Sequence, residues 1–299
     1  MPYDHRNPVT RSLPAALAAL VCSAALAGCG AASEAAEGTR GPAAATTTPG
    51  GSRTPDPSRT PSRAPAADAA RPLAGRTVVV DPGHNPGNFR HPREIGEKVD
   101  IGTARKECDT TGTSTNASGG KAAYTEAAFT LDVSHRLRKA LEARGAEVVL
   151  THDADRPYGP CIDERARIGN EAAADAVVSV HADGSAAGNR GFHVIVPAEV
   201  REGSADTRPI VAPSRTLGER IAAAFARTTG TSPANYLGDG TGLDVRSDLG
   251  GLNLSIVPKV FVECGNMRDP KDAALLTSGA WRQKAAQGIA DGIVTYLQG

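Results

Sequence analysis

Short apolar runs and helical periods alternate along the chain from residue 75 onward. Short, largely apolar runs indicate strands at residues 77–80, 147–151, 176–180, 191–196 and 258–262, and the runs at 77–80 and 176–180 are typical of buried strands. A four-residue apolar repeat indicates a helix over 125–144 that Gly145 ends; it consists of Phe129, Val133, Leu137 and Leu141. Further helices are expected over 161–174, 214–229 and 281–297.

Strands that alternate with helices predict an α/β domain. We expect residues 75–299 to form a single domain with a mostly parallel or mixed sheet of about six strands and helices on both faces. The pattern contains no internal repeat that would suggest a second domain.

Residues 1–28 have the pattern of a signal peptide. Arg6 and Arg11 precede an apolar stretch over 13–27 that is too short to span a membrane. The sequence Leu-Ala-Gly-Cys at 26–29 resembles the bacterial lipobox, in which the chain is cut before a cysteine that then carries lipid. This resemblance predicts lipidation of Cys29 at the outer face of the cell membrane. The small residues at 25–27 also fit ordinary secretion to the cell wall.

Residues 29–74 consist largely of Ala, Thr, Pro, Ser, Gly and Arg. Such a segment cannot bury enough apolar surface to offset the entropy of ordering, so we expect a disordered tether. As a flexible coil it would span on the order of 35–40 Å between its ends. With lipid on Cys29, the tether would hold the domain off the membrane.

The charge balance argues against one class of partner. Lysine plus arginine and aspartate plus glutamate number 33 each, so the formal net charge is zero. Because the sequence contains no basic run, we do not expect nucleic-acid binding. We expect a monomer.

Three of the five cysteines remain in the predicted domain after Cys22 and Cys29 are set aside. Outside the cytoplasm, a disulfide between Cys108 and Cys161 is the natural pairing. Cys264 ends an apolar run, so we expect it to be a buried free thiol.

Polar residues follow three of the predicted buried strands at the point where each strand ends. His84 follows the first strand after Asp-Pro-Gly, His181 follows 176–180, and Glu263 follows 258–262. A single histidine at a strand end is more often structural than catalytic. Three such residues in one domain favour a shared site, because open α/β sheets bind ligands at the carboxyl ends of their strands.

A fourth polar residue joins this set through a helix. Glu126 is the first residue after the expected N-cap Thr125, and its spacing from Phe129 and Val133 turns it inward. A favourable interaction with the helix dipole explains a glutamate at this position but not its inward direction. Since an unpaired buried carboxylate is very unfavourable, Glu126 needs a partner.

These four residues predict a catalytic zinc site. His84, Glu126 and His181 form a common ligand set for one Zn²⁺ that leaves a fourth position for water. Glu263 would then serve as the catalytic general base.

From residue 75 to 297 the chain resembles the zinc-dependent N-acetylmuramoyl-L-alanine amidases of bacterial cell-wall metabolism. The resemblance rests on Val-Val-Val-Asp-Pro-Gly-His ending at His84, on Glu126, on Ala-Asp-Ala-Val-Val-Ser-Val-His-Ala-Asp around His181, and on Pro-Lys-Val-Phe-Val-Glu-Cys-Gly-Asn around Glu263. It implies hydrolysis of the bond between N-acetylmuramic acid and L-alanine in peptidoglycan, and the same ligand and acid/base roles.

The chain departs from the family pattern at three places. Asn-Pro-Gly-Asn replaces the usual Gly-Gly after His84, Asp183 replaces an asparagine, and an insertion over 89–124 contains Cys108. The insertion resembles the branch of the family found in high-GC Gram-positive bacteria, and its role is left open. Asp81 either supports the site or caps a turn, and both interpretations stay open. Arg165 and Asn170 are expected to have structural roles near the site.

Two other functions remain open from the sequence. One is a zinc peptidase that acts on the stem peptides of peptidoglycan, since the metal chemistry is the same. The other is a non-catalytic lipoprotein that binds the wall, which an intact ligand set and Glu263 disfavour. The remaining histidines of the domain, His91, His135, His152 and His193, are interpreted as surface or core residues.

Overall fold

The computed structural model describes residues 71–117 and 122–299. The predicted signal peptide, the lipidation site Cys29 and the tether up to residue 70 therefore lie outside the described residues. The expectation that the tether extends to residue 74 was wrong, because Leu73 is fully buried in the main core and its N–H donates to the Arg144 carbonyl at 3.0 Å. Among the helices that are described, none combines the length and apolarity needed to cross a bilayer.

A six-stranded sheet forms the centre of the domain and confirms the predicted fold class. The strands of the described residues are β1 Thr77–Pro82, β2 Lys98–Asp100, β3 Arg105–Glu107, β4 Glu147–Leu150, β5 Ala176–Asp183, β6 His193–Pro197, β7 Arg201–Glu202, β8 Ala205–Asp206, β9 Leu243–Arg246 and β10 Lys259–Asn266. Six of them form the central sheet, in the order β4-β1-β5-β10-β6-β9, while β2 pairs with β3 and β7 pairs with β8 in two small separate sheets. Neighbouring strands are parallel except for β10 and β6, which are antiparallel, so the sheet is mixed.

The helices of the described residues are α1 Pro92–Gly96, α2 Glu126–Glu142, α3 Ile162–Glu171, α4 Arg208–Thr229, α5 Gly250–Asn253, α6 Pro270–Leu276 and α7 Gly279–Leu297. Helix α4 begins six residues before the expected start at 214, so that expectation was wrong. Pro209 stands in its first turn, where backbone N–H groups have no helical partner and proline is tolerated. Pro213 lies inside the helix and forgoes one backbone hydrogen bond.

The two faces of the sheet differ in chemistry. Val80, Val178 and Val262 point into the main hydrophobic core, which Phe129 of α2, Leu217 of α4 and Ile289 of α7 complete. The alternate residues of the same strands include buried polar side chains, among them Asp81, Ser179 and Lys259. On this second face α3 approaches the sheet so closely that a Cβ on Gly169 would lie 3.1 Å from Val177. Helices thus cover both faces, as predicted.

The insertion after His84 is built from short elements rather than a long irregular loop. A 3₁₀ turn over Asn88–Arg90 leads into α1, and β2 and β3 form an antiparallel ribbon. Ile95, Ile101 and Cys108 are buried. Cys108 and Cys161 form a disulfide, while Cys264 is buried and pairs with no described cysteine.

Candidate metal centre

His84, Glu126 and His181 bring their side chains together at the carboxyl end of the sheet. One oxygen of Glu126, Oε2, lies 3.2 Å from His84 Nε2, and the other, Oε1, lies 3.0 Å from His181 Nδ1. The three potential ligand atoms all lie within 4.8 Å of one another. Ligand atoms about 2.1 Å from a tetrahedral zinc are about 3.4 Å apart, so the described spacing fits such an ion.

The backbone around His84 is specialised. His84 has a φ of 61°, a left-handed conformation that residues with a side chain rarely adopt. Its Nδ1 lies 3.3 Å from Asp109 Oδ1 and 3.1 Å from the carbonyl oxygen of Thr110. A histidine whose Nδ1 is hydrogen-bonded presents Nε2 to a metal, which is the usual arrangement of metal-bound imidazoles.

Asp109 and Thr110 are the contributors to the site that the sequence analysis missed. They lie inside the insertion, where no apolar period gives their position. Their one available signal is that they directly follow Cys108, which the predicted disulfide would fix near the start of α3.

Glu126 is held at the N-terminus of α2 by its own surroundings. Thr125 caps the helix, since its hydroxyl accepts a hydrogen bond from the Ala128 N–H at 3.3 Å. The backbone N–H groups of Thr113 and Ala182 donate to Oε2 and Oε1 of Glu126 at 2.9 and 3.2 Å. Both oxygens are therefore oriented toward the histidines, in agreement with the predicted inward direction.

The charges in the site are strongly coupled. Burial lowers the pKa of His84, but the carboxylates of Glu126 and Asp109 outweigh this effect and raise the pKa to about 10. Burial raises the pKa of Glu126, but His84 and His181 outweigh it and hold this pKa well below its usual range. A carboxylate that stabilises a positive charge on His84 would also stabilise a bound cation, and metal ligation requires the neutral form of histidine.

His181 is positioned by close packing. Its ring stacks on Phe261, with centroids 5.3 Å apart, and meets the His84 ring edge-on at 5.0 Å. A Cβ added to Gly83 would lie 2.3 Å from His181 Cε1. Only glycine therefore fits before His84 while His181 keeps this position.

Glu263 lies next to His181 on the neighbouring parallel strand, where the two residues are paired in register. Its Oε2 is buried and has no hydrogen-bond partner among the described residues. Burial raises the pKa of Glu263 well above its usual range, and the carboxylates of Glu126 and Asp183 add to this rise. A raised pKa makes the Glu263 carboxylate a stronger base, and a carboxyl group that has accepted a proton can release it again as a general acid.

Asp81 is the centre of a buried charge cluster beneath the metal centre. It accepts hydrogen bonds from Arg165 at 2.6 Å, Thr151 at 2.6 Å and Ser179 at 2.8 Å, and Lys259 Nζ lies 3.5 Å away. Arg165 also donates to Asp109 at 3.0 Å and to the His84 carbonyl at 3.0 Å. Arg165 therefore links this cluster to the residues that hold His84.

Asn170 lies away from the site, where it binds the backbone of Leu254 and Ile256. Expecting it near the site was therefore wrong, because α3 carries it toward the amino end of β10. Asp183, two residues after His181 at the end of β5, accepts a hydrogen bond from the Tyr236 hydroxyl at 2.7 Å.

The other histidines do not belong to the ligand set. His91 and His135 pair with Glu94 and Asp153 and are partly exposed. His152 and His193 are buried, and His193 stands opposite Glu263 in the β6–β10 pairing.

Two cavities of similar volume have residues of the ligand set in their walls. One of about 290 Å³ is lined by the three ligands together with Glu263 and Arg246. A second, of about 300 Å³, is lined by His84, His181 and Phe261, with Asp81 and Arg165 also in its wall. Only the first of these two is lined by both Glu126 and Glu263, so it is the one that fits the chemistry.

The chain is similar to known cell-wall hydrolases over most of its length. The sequence model of a family described as N-acetylmuramoyl-L-alanine amidase matches residues 78–295. The N-acetylmuramoyl-L-alanine amidase Rv3717 of Mycobacterium tuberculosis is 39% identical over 239 residues, which cover 80% of this chain and 93% of that protein. The amidase LytC of Bacillus subtilis is 26% identical over 237 residues, 76% of this chain but 36% of that protein.

A solved structure gives the same result for the fold. The N-acetylmuramyl-L-alanine amidase Ami1 of Mycobacterium smegmatis superposes with a TM-score of 0.67 at 39% identity. The match covers 75% of this chain and 98% of the other.

Proposed function

The chain belongs to the N-acetylmuramoyl-L-alanine amidase family, and we propose that it hydrolyses the amide bond between N-acetylmuramic acid and L-alanine in peptidoglycan with the help of one zinc ion. The observation that carries this proposal is the convergence of three ligand atoms within 4.8 Å beside a buried, unpaired glutamate oxygen. The three ligand atoms can bind one cation, and the unpaired Glu263 oxygen beside them can accept a proton.

His84 through Nε2, His181 through Nδ1 and Glu126 are the proposed zinc ligands. When bound, zinc would polarise the substrate carbonyl and make a neighbouring water more acidic. Asp109 and Thr110 hold the His84 ring from its other nitrogen, and the backbone of Thr113 and Ala182 aims the Glu126 carboxylate. The ligand geometry therefore does not depend on the metal alone.

Glu263 is the proposed acid/base. Its carboxylate takes a proton from the attacking water and then gives that proton to the L-alanine nitrogen, so that the C–N bond breaks and a free amine leaves. The products are a glycan strand and a free stem peptide. The raised pKa of Glu263 suits both transfers, because the group has to be a base in the first and an acid in the second.

The proposed place of action is outside the cytoplasm. A signal peptide over 1–28, lipid on Cys29 and a tether over 29–70 would anchor the domain at the outer face of the membrane, within reach of peptidoglycan. Cys29→Ala should abolish the incorporation of a labelled fatty acid. Unchanged labelling would contradict anchoring at Cys29, and release of unlabelled wild-type protein into the medium would favour ordinary secretion.

Mass spectrometry of peptidoglycan digested by the full chain tests the activity. An amidase leaves muramic acid with free lactyl ends and releases intact stem peptides. Shortened stem peptides would instead identify a zinc peptidase, and unchanged peptidoglycan would identify a wall-binding protein. Removal of the metal by a chelator should stop the release of stem peptides, and added zinc should restore it.

A further inference from the structure

Phe89 is one of the large hydrophobic residues that the described surface leaves exposed, at 63% of its side chain; the others are Val245 and Ile256. Scattered exposed apolar residues are ordinary, so exposure alone assigns no function. Phe89 differs from Ile256 because it lines a cavity of about 390 Å³ that adjoins the metal centre.

The position of Phe89 is fixed by its neighbours. Asn88 is fully buried, donates to the Thr110 carbonyl at 2.7 Å and accepts from the Gly159 N–H at 2.9 Å. The guanidinium carbon of Arg90 lies 4.8 Å from the centre of the Phe89 ring and covers one side of it. An aromatic ring is thus presented to the cavity from a segment that is tied to the residues around His84.

The cavity of Phe89 neighbours the cavity that contains Glu263. Gly112 and Thr113 line both of them. A Cβ on Gly112 would lie 2.7 Å from Glu126 Oε2, so the segment shared by the two cavities lies directly against the ligands. A substrate long enough to occupy both cavities would pass over this segment.

The lining of this cavity suits an uncharged, hydroxyl-rich ligand. Four hydroxyl residues contribute to it, namely Thr111, Thr113, Ser114 and Thr125. Arg268 is the charged residue of the lining, and none of the lining residues is acidic. Hydroxyl groups both donate and accept hydrogen bonds, which matches the hydroxyl and acetamido groups of an amino sugar.

Resting on the proposed function, we infer that this cavity binds the glycan strand of the substrate and that Phe89 stacks against a sugar ring. The face of an aromatic ring is electron-rich, and the axial C–H bonds of a pyranose carry partial positive charge, so the two surfaces attract each other. The glycan then lies on the Phe89 side of the metal centre. Phe89 contributes to substrate binding and takes no part in the proton transfers.

The test uses the full chain with Glu263→Gln, which prevents turnover, as the parent protein. Two properties are measured: co-sedimentation with insoluble peptidoglycan, and binding to glycan strands from which the peptides have been removed. Phe89→Ala should weaken both by about five- to tenfold, the size of one aromatic contact. Phe89→Trp should retain binding. Ile256→Ala, which removes a similarly exposed apolar side chain that does not line this cavity, should bind as the parent does.

Equal binding of Phe89→Ala and Ile256→Ala to peptide-free glycan would overturn the inference. The inference would also be overturned if Phe89→Ala lost binding to anionic lipid vesicles but kept its binding to glycan, since Phe89 would then be a membrane contact. Turnover of peptidoglycan by the wild-type chain is measured in parallel. Its absence would refute the proposed amidase activity itself, whereas normal turnover with unaltered glycan binding of Phe89→Ala would refute the glycan site alone.

Discussion

The two histidines of the metal centre are oriented by different means. His84 is held through hydrogen bonds to its Nδ1, whereas His181 is held by stacking on Phe261 and by the space that Gly83 leaves. A hydrogen bond to the far nitrogen fixes the tautomer of a ligand and increases its basicity. Asp109 is therefore a positioning residue for His84.

Asp109→Asn should weaken zinc binding by about ten- to a hundredfold, because partners of metal-bound histidines contribute on this scale. Titration with a competing chelator measures the affinity. The control is Asp206→Asn, which changes an exposed carboxylate on β8, far along the chain from the ligands. Equal affinities of the two variants would show that Asp109 does not support His84.

Glu263→Gln should keep its zinc and lose turnover by about a hundredfold or more, since the amide cannot exchange a proton at this position. Metal content by elemental analysis and peptide release from peptidoglycan are the two measurements. His181→Ala is the comparison variant and should lose both properties. Loss of zinc in Glu263→Gln would mean that the ligand and acid/base roles have to be reassigned.

Among the elements, five strands of the central sheet and the residues at their ends could be predicted from the sequence, whereas the edge strand β9 and the insertion could not. Val78–Val80, Val177 and Val178 are apolar because both faces of a central strand are covered, and His84 and His181 follow where those strands leave the core. Asp109 and Phe89 lie in a segment whose position is set by a disulfide and by side-chain to backbone hydrogen bonds. Such contacts leave no periodic trace in a sequence.

The disulfide ties this insertion to the start of α3. Cys108 and Cys161 are 53 residues apart, and closing a loop of that size restricts the unfolded chain by about 4 kcal/mol in the chain-entropy account. Cys108→Ser and Cys161→Ser should lower the melting temperature by similar amounts, and the double variant should be no less stable than either single one. Thermal unfolding of the three variants measures this, and additive losses would argue against one shared bond.

Across the whole molecule, the two faces of the sheet carry different kinds of side chains. Val80, Val178 and Val262 pack into the core with α2, α4 and α7. The intervening positions place polar groups on the other face, where Asp81 is registered with Ser179 and His181 with Glu263. Because side chains of a strand alternate between faces, one set of strands provides both the core and the site. The buried charges of the second face then have to be neutralised by one another.

Asp81 is the residue on which this neutralisation depends, and it makes the stability of the domain sensitive to acid. Burial raises the pKa of Asp81, but Arg165 and Lys259 outweigh it and hold the pKa far below its usual range. The folded protein therefore keeps this carboxylate charged under conditions in which the unfolded chain binds a proton. The resulting stability is present above the unfolded pKa of about 4 and is lost as the pH falls below it.

Asp81→Asn should accordingly destabilise the domain at neutral pH and flatten the fall in stability on acidification, because it removes the anion that pairs with buried Lys259 and leaves Arg165 with Asp109 alone. Breaking a buried ion pair in this way costs about 3 kcal/mol or more, which corresponds to a melting temperature lower by about 6–12 °C for a domain of this size. Melting temperatures between pH 7 and pH 3 measure both effects. Asp239→Asn, at an exposed residue, is the matched control. An Asp81→Asn protein that melts in parallel with this control across the range would show that the buried charge cluster contributes nothing to acid sensitivity.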